Sequence, residues 1–462
     1  MAINNSPRHT TNHQDPQERI KNFEEVNLGF DEKTMIEEAN RCIGCKNAPC
    51  RNGCPVGINI PAFIAHLKEN DPDGALSVIS EASLLPAICG RVCPQEKQCE
   101  NNCVRKAKLG GSVAIGALER YVGDYGLAKG TADYVKPASC GKRVAVVGSG
   151  PAGLACAADC AQKGMQVTIF EAFHKAGGVL VYGIPEFRLP KEKVVAKEIE
   201  KLKALGVEIK LNTVIGKTIT VEELQEQYDA IFIGTGAGLP MFMGINGENL
   251  NGVSSANEFL TRVNLMQAYK DDAITPVYCG KKVAVIGAGN VAMDAARTAK
   301  RIGGGEVYIV YRRSREEMPA RGEEIVHAVE EGIQLQLLTN PVEMLGENGR
   351  VCGLKCVKME LGEPDASGRR RPVPVEGSEF VLDVDQVIVS LGTSPNPLIK
   401  KSFKGLEFTP KGTIIVNEEA MSTNVEGIYA GGDAVTGAAT VILAMGAGRK
   451  AAKAIIEYLG VE

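Results

Sequence analysis

Apolar residues along the chain fall into two regimes. Between about 25 and 130 they recur at helical spacing, as in PAFIAHLKENDPDGALSVISEA, and little strand alternation is present. From about 140 onward, short apolar runs lead into glycines and then into alanine-rich stretches, a pattern that predicts strand, tight turn and helix. It occurs twice, as CGKRVAVVGSGPAGLACAA at 140–158 and CGKKVAVIGAGNVAMDAAR at 279–297, an offset of 139 residues. The repeat predicts two βαβ openings, with strands at Val144–Val147 and Val283–Ile286. EVYIVYRR and DQVIVSLG read as further strands, and the closing segment from GTIIV to the end reads as strand, glycine turn and helix. The expected fold class is α/β, an N-terminal α-helical domain followed by two Rossmann-like dinucleotide-binding domains, the second inserted in the first. The expected boundaries are a mobile polar tail at 1–24, a helical domain at 25–140, a first dinucleotide domain at 141–276 plus 384–462, and a second at 277–383.

Composition narrows the class. The 462 residues are 44% apolar and 23% charged, as in soluble globular proteins, and carry a net charge of −4 that gives nucleic acid or an anionic membrane no purchase. No apolar run approaches the ~20 residues needed to span a bilayer, and the N-terminus lacks a secretory apolar core, so a cytoplasmic protein is expected. Fourteen cysteines in such a protein point to metal, and eight of them lie between 42 and 103. Their spacing is C-x2-C-x4-C-x3-C-P from Cys42, then C-x3-C-P-x5-C-x3-C from Cys89. Zinc prefers two separated pairs, whereas a compact run ending in Cys-Pro suits iron–sulfur ligation; zinc and disulfides are the alternatives. Two [4Fe–4S] clusters are expected.

The glycine loops carry the next step. In the first, Gly148 makes the turn, Gly150 lets a pyrophosphate approach, and Gly153 allows close packing of a helix whose N-terminus faces the phosphates. The strand QVTIF ends at Glu171, placed to accept from a ribose diol. The second loop has Gly287, Gly289 and Ala292, and its second strand ends in Arg312 and Arg313, which suit a 2′-phosphate. Hence FAD is expected in the first site and NADPH in the second. Asp433 in YAGGDAVTG is placed for the flavin's ribityl–phosphate chain, and a helix from near Thr440 would aim its N-terminus at the flavin ring. A plain βαβ unit, a solvated basic loop and an exposed turn aspartate are the respective alternatives. No cysteine pair follows Glu171, so electrons must leave the flavin by another route, and Cys156 and Cys160 read as core residues.

The run CIGCKNAPCRNGCPVGINIP, the stretch LPAICGRVCPQEKQCENNC, VAIGALERYVGD, both glycine loops and YRRSREEMPARGEE together resemble the small (beta) subunit of NADPH-dependent glutamate synthase. The N-terminal half of dihydropyrimidine dehydrogenase is similar. QDPQERIKNFEEV with CPVGINIPAFI looks more like the stand-alone branch, which includes the large subunit of the electron-bifurcating NADH-dependent reduced ferredoxin:NADP⁺ oxidoreductase. The resemblance covers nearly the whole chain from about Gln14. It implies that Cys42, Cys45, Cys50 and Cys103 hold one cluster, and that Cys54, Cys93, Cys99 and Glu119 hold the other. Glu119 stands where dihydropyrimidine dehydrogenase has glutamine, and Cys89 is left as a packed thiol. It further implies FAD contacts at Pro151, Ala152, Gly178, Arg188, Val214, Gly432, Thr440 and Val441. NADPH contacts are implied at Ala288, Asn290, Val291 and Gly392 as well as at the loop glycines and arginines.

The expected activity is electron transfer between NADPH and a partner through FAD and the clusters. Hydride transfer between bound cofactors needs no protein acid or base. Glutamate synthesis also needs an N-terminal cysteine nucleophile and a second flavin site. The chain begins Met-Ala, so it is expected to be only the NADPH-oxidising half. The expected partner is a glutamate synthase large subunit or, alternatively, a small bifurcating flavoprotein subunit with ferredoxin; a homo-oligomer is compatible with either. A non-enzymatic zinc and nucleotide-binding scaffold is the reading from a different class.

Overall fold

The computed structural model describes residues 6–106, 110–364, 366 and 368–461. Helices Glu32–Ala39, Ile60–Lys68, Pro72–Ser80, Pro86–Val92 and Ile115–Lys129 form the N-terminal unit. Their apolar faces meet in a core that includes Met35, Phe63, Ile64, Leu67, Ile79, Leu118 and Val122. Helices Pro86–Val92 and Ile115–Lys129 cross backbone to backbone, because a Cβ on Gly123 would lie 2.3 Å from the Ala87 nitrogen and one on Gly90 2.5 Å from the Arg120 nitrogen. That crossing sets Glu119 beside the cysteine-bearing turn that follows Val92.

Two five-stranded parallel sheets follow, whose inner strands have the near-continuous apolar runs of a sheet covered on both faces while some edge strands are polar. The first runs Ile428–Ala430, Ala230–Ile233, Arg143–Val147, Gln166–Phe170, Glu208–Lys210, so the end of the chain does return to complete it. The second runs Gln334–Gln336, Glu306–Val310, Lys282–Ile286, Gln386–Val389, Val253–Ser255. Strands Val253–Ser255 and Gln386–Val389 therefore pair in the second sheet, not in the first as the boundaries 276 and 384 imply. Val253–Ser255 is too short and polar to announce itself, and an apolar run such as Gln386–Val389 fits a buried strand of either sheet. The chain crosses between the units where Leu239–Pro240 pairs antiparallel with Thr393–Ser394. An antiparallel ribbon of Thr339–Glu347, Arg350–Pro364, Arg370–Pro374 and Phe380–Leu382, not anticipated from the sequence, extends the second unit.

The long last helix, Val441–Tyr458, lies against helix Pro151–Gln162 of the first glycine loop, and a Cβ on Gly448 would be 2.1 Å from the Ala152 carbonyl oxygen. No helix among the described residues is long and apolar enough to cross a membrane.

The expected mobile tail is instead packed over the residues described from 6 to 24. Asn12–His13 pairs with Asn27–Gly29, and Arg19 on the short helix Pro16–Arg19 is buried. Its Nε donates to Glu331 at 2.8 Å and its Nη2 to Glu330 at 2.8 Å, more than three hundred residues away. A polar composition cannot reveal such partners. Arg19→Ala should cost about 3 kcal/mol locally, because Glu331 loses one of its buried cations. Hydrogen exchange should then show faster exchange at 6–24, with the protection of the two sheets unchanged.

Candidate functional site

The N-terminal unit gathers the eight cysteines into two sets. Cys42, Cys45, Cys50 and Cys103 line one small cavity, walled also by Ile60, Ile64 and Ile115. The loop that brings them together turns through left-handed backbone at Gly44 and Ala48, and Lys68 Nζ donates to the Cys42 carbonyl at 2.6 Å. Burial, with Cys42 and Cys103 close by, pushes the Cys50 thiol up to about 11. The second set is deeper. Burial raises Cys99, with Glu100, Glu119 and Cys54 adding to the effect; Cys93 is raised chiefly by its contact with the Cys89 thiol. Burial pushes Glu119 up to about 8, and its Oε1 has no hydrogen-bond partner. An orphaned buried carboxyl facing three thiols is a donor set that a cationic centre would satisfy. Cys89 is fully buried, as expected, and so are Cys156 and Cys160.

All fourteen cysteines are free thiols, which removes the disulfide reading. Zinc, with Zn–S bonds of ~2.3 Å, holds sulfurs roughly 3.8 Å apart. Among the described residues, the group whose three ligand atoms all lie within 4.8 Å of one another is His13, Glu323 and His327, and it contains no cysteine. The cysteine sets are not among such groups, so their ligand atoms stand further apart than a zinc tetrahedron would hold them.

In the first glycine loop, Gly148 has φ +103°, and a Cβ there would lie 2.5 Å from the Gly234 carbonyl oxygen. A Cβ on Gly153 would come within 1.9 Å of the Gly148 carbonyl oxygen, whereas nothing stands within 4 Å of that position at Gly150. That open space, at the N-terminus of helix Pro151–Gln162, is a cradle of the kind that suits a phosphate. Gly178, at φ +55°, closes over it, with its Cβ position 2.8 Å from the Gly150 Cα; Gly432, at φ +67°, packs against Ala152. Thr440 caps the last helix by accepting from the Leu443 nitrogen at 3.4 Å, and Val441 opens it. Asp433 accepts from the Ala439 nitrogen at 3.2 Å, and burial pushes its carboxyl up to about 6.

Glu171 accepts from the Ser149 nitrogen at 3.0 Å, from the Ser149 hydroxyl, and from the Phe173 nitrogen at 2.8 Å. Ser149, which also accepts from the Gly177 nitrogen at 2.9 Å, therefore fastens loop, strand end and Gly178 turn together. The sequence reading missed it, although a hydroxyl between the two loop glycines was the available signal. Val214 follows Thr213, whose nitrogen donates to the Glu171 carbonyl at 2.9 Å. Arg188 sits apart from this cradle: its guanidinium pairs with Asp294 at 2.6 Å and Glu324 at 3.1 Å, both on the second unit.

The second loop repeats the geometry. Gly287 has φ +125° with its Cβ position 2.4 Å from the Ser390 carbonyl oxygen, Gly289 faces open space, and Ala292 is buried. The Ala288 carbonyl accepts from the Ala320 nitrogen at 3.2 Å and Asn290 Oδ1 from the Arg321 nitrogen at 2.9 Å, while Val291 is exposed. The Gly392 carbonyl accepts from the Met241 nitrogen at the crossing between units. The expected Arg312–Arg313 fork is divided: Arg312 is exposed, whereas Arg313 is buried and its Nε donates to the Arg370 carbonyl at 2.8 Å. Successive side chains leaving a strand point to opposite sides, so two neighbouring arginines do not share a face.

Comparison with known proteins agrees with this geometry. Residues 19–131 match the family of dihydropyrimidine dehydrogenase domain II, 4Fe-4S cluster, and residues 142–448 match pyridine nucleotide-disulphide oxidoreductase. The NADP(+)-dependent formate dehydrogenase subunit beta of Moorella thermoacetica is 42% identical over 89% of this chain, which spans 60% of that protein's length. The glutamate synthase [NADPH] small chain of Halomonas elongata is 38% identical over 97% of both chains. FprA of Mycobacterium tuberculosis, solved in complex with NADPH, shares the fold with a TM-score of 0.57 and 22% identity over 69% of this chain and 85% of its own. An iron–sulfur unit and a dinucleotide unit in this order, with that end-to-end likeness, mean that this chain belongs to the family of the glutamate synthase small chains and their related beta subunits.

Proposed function

We propose that the protein passes electrons between NADPH and a partner protein, through FAD in the first cradle and two [4Fe–4S] clusters in the cysteine sets. The observation that carries this reading is how the second cysteine set is packed. Cys89 and Cys93 belong to the same apolar core as Ala152, Ile442 and Met445 of the first cradle, whereas Cys99 belongs to the helical core. Val56, just after Cys54, reaches the last helix, 3.0 Å from the Cβ position of Gly446. The deeper set thus bridges the two units, and the set around Cys42 lies beyond it. Such an order suits a relay of one-electron carriers leading away from the cradle.

Bound in the first cradle, FAD would supply the exchange between a hydride pair and single electrons, and iron–sulfur centres would carry the single electrons onward. The chain's own task is to hold and orient. Gly148 would make the turn, Gly150 would let the pyrophosphate reach the N-terminus of helix Pro151–Gln162, and Gly153 would keep that helix close. Glu171 and Asp433 would face the hydroxyl-bearing chains of the dinucleotide, and the last helix would direct its N-terminal dipole into the cradle. The second loop would do the same for NADPH, with Gly287 making the turn, Gly289 leaving room at the N-terminus of helix Asn290–Ile302, and Arg312 as the exposed cation for a 2′-phosphate.

A second reading concerns the partner. The likeness to a formate dehydrogenase beta subunit as well as to glutamate synthase small chains favours an input module whose partner differs between enzymes. We favour a glutamate synthase large subunit, with a bifurcating flavoprotein subunit and ferredoxin as the alternative. Anaerobic purification from the native host, with co-purifying chains identified by mass, decides between them. A large amidotransferase chain supports the first, and a small flavin and iron–sulfur chain the second. A colourless protein containing zinc and no flavin would sink the electron-transfer reading altogether.

Two substitutions test the assignments. Glu119→Ala should lower the iron content by about half and remove one of two low-temperature paramagnetic signals of the reduced protein, leaving flavin content unchanged. Arg312→Ala should raise KM for NADPH about 10- to 100-fold with little change in kcat, and leave KM for NADH unmoved.

A further inference from the structure

Bordering the second glycine loop and the helical unit, a cavity of about 390 Å³ lies where the N-terminal segment, the helical unit and the second dinucleotide unit meet. Three ligand-type side chains converge on its wall. His13 comes from the strand Asn12–His13, and Glu323 and His327 stand one turn apart on helix Gly322–Glu330. One ligand atom of each lies within 4.8 Å of the other two. His13 Nε2 is 3.1 Å from Glu323 Oε1, and tetrahedral coordination with bonds of ~2.0–2.1 Å separates ligand atoms by roughly 3.3 Å. The imidazoles of His13 and His327 sit edge to face with ring centroids 4.9 Å apart. His327 is 5% exposed, yet its Nδ1 has no hydrogen-bond partner. A polar atom buried bare is destabilising, and a ligand that accepted its lone pair would relieve it.

We propose that His13, Glu323 and His327 form a binding site for a divalent transition metal of the zinc type. Two imidazoles and one carboxylate suit Zn²⁺ and its neighbours, whereas Ca²⁺ and Mg²⁺ require mostly oxygen. The carboxylate is already oriented: Glu323 Oε1 accepts from Asn27 Nδ2 at 3.0 Å and Oε2 from Arg321 Nη2 at 3.0 Å. Arginines line the cavity, but their charges are met. Arg188 pairs with Asp294 and Glu324, Arg297 with Glu324 and Glu331, Arg8 with Glu100, Arg91 and Arg120 with Glu25 and Asp124, and Arg321 with Glu96 as well as with Glu323 itself. Three protein ligands leave a coordination position open towards the cavity. The metal would tie the N-terminal segment to the second dinucleotide unit, and this reading is independent of what the partner protein is.

The test uses the cluster- and flavin-loaded protein, exposed to Zn²⁺ anaerobically and gel-filtered, with zinc, iron and flavin measured on the same sample. The wild-type chain should retain one zinc and melt at a higher temperature with Zn²⁺ than without. His13→Asn, at a partly exposed position, should keep its iron and flavin while its zinc affinity falls at least tenfold and the thermal shift disappears. His327→Asn should behave alike if it folds. Equal zinc retention by wild type and His13→Asn, or none by wild type, would overturn the proposal. The unchanged iron content distinguishes this site from zinc entering emptied cysteine sets.

Discussion

Backbone meeting backbone is the constraint on which the dinucleotide half of this chain rests. At Gly153 and Gly448 there is no room for a β-carbon, since one would fall 1.9 Å and 2.1 Å from neighbouring carbonyl oxygens. Because the last helix can approach the first loop's helix this closely, the strand Ile428–Ala430 reaches the sheet edge and the cap at Thr440 lands beside the loop. The same helix then offers Gly446 to Val56, which fixes where the cysteine-rich arm meets the cradle. One close approach thereby positions pieces of chain that are nearly four hundred residues apart.

The two cysteine sets divide the electrostatic problem differently. The set around Cys42 lies against the helical core beneath exposed Ile43 and Val104, whereas the set around Glu119 is shared between two cores. In the deeper one, two thiols and a carboxyl are buried, and Cys54 at its edge is half-buried and held by backbone N–H groups. Such a site favours neutral donors until positive charge arrives, so filling it and stabilising it are coupled events.

What could be read from the sequence followed from local rules. Gly148, Gly153 and Gly287 were legible because a tight turn and a close helix leave only glycine, whatever the rest of the chain does. The return of the chain's end was legible because a glycine turn before an alanine-rich helix has few other uses. Arg19, Arg188 and Ser149 were not, since their roles lie in partners that no spacing encodes: Glu331, Asp294 and the turn at Gly177. Glu119 was reached by family resemblance alone, for a single acid in a helical stretch looks like any solvated one. The division of Arg312 from Arg313 could have been anticipated from side-chain alternation, and the unit boundary could not, because apolar strands of two parallel sheets look alike.

The chain passes between the two dinucleotide units at two short strands, Leu239–Pro240 and Thr393–Ser394, which by themselves would let one unit swing against the other. Arg188 opposes that freedom. Its guanidinium leaves the first unit and enters a buried pocket between Asp294 and Glu324 of the second, and any rotation about the crossing would strand three charges away from water. The crossing is therefore braced by buried charge, and loosening one unit from the other carries the cost of separating Arg188 from both of its carboxylates.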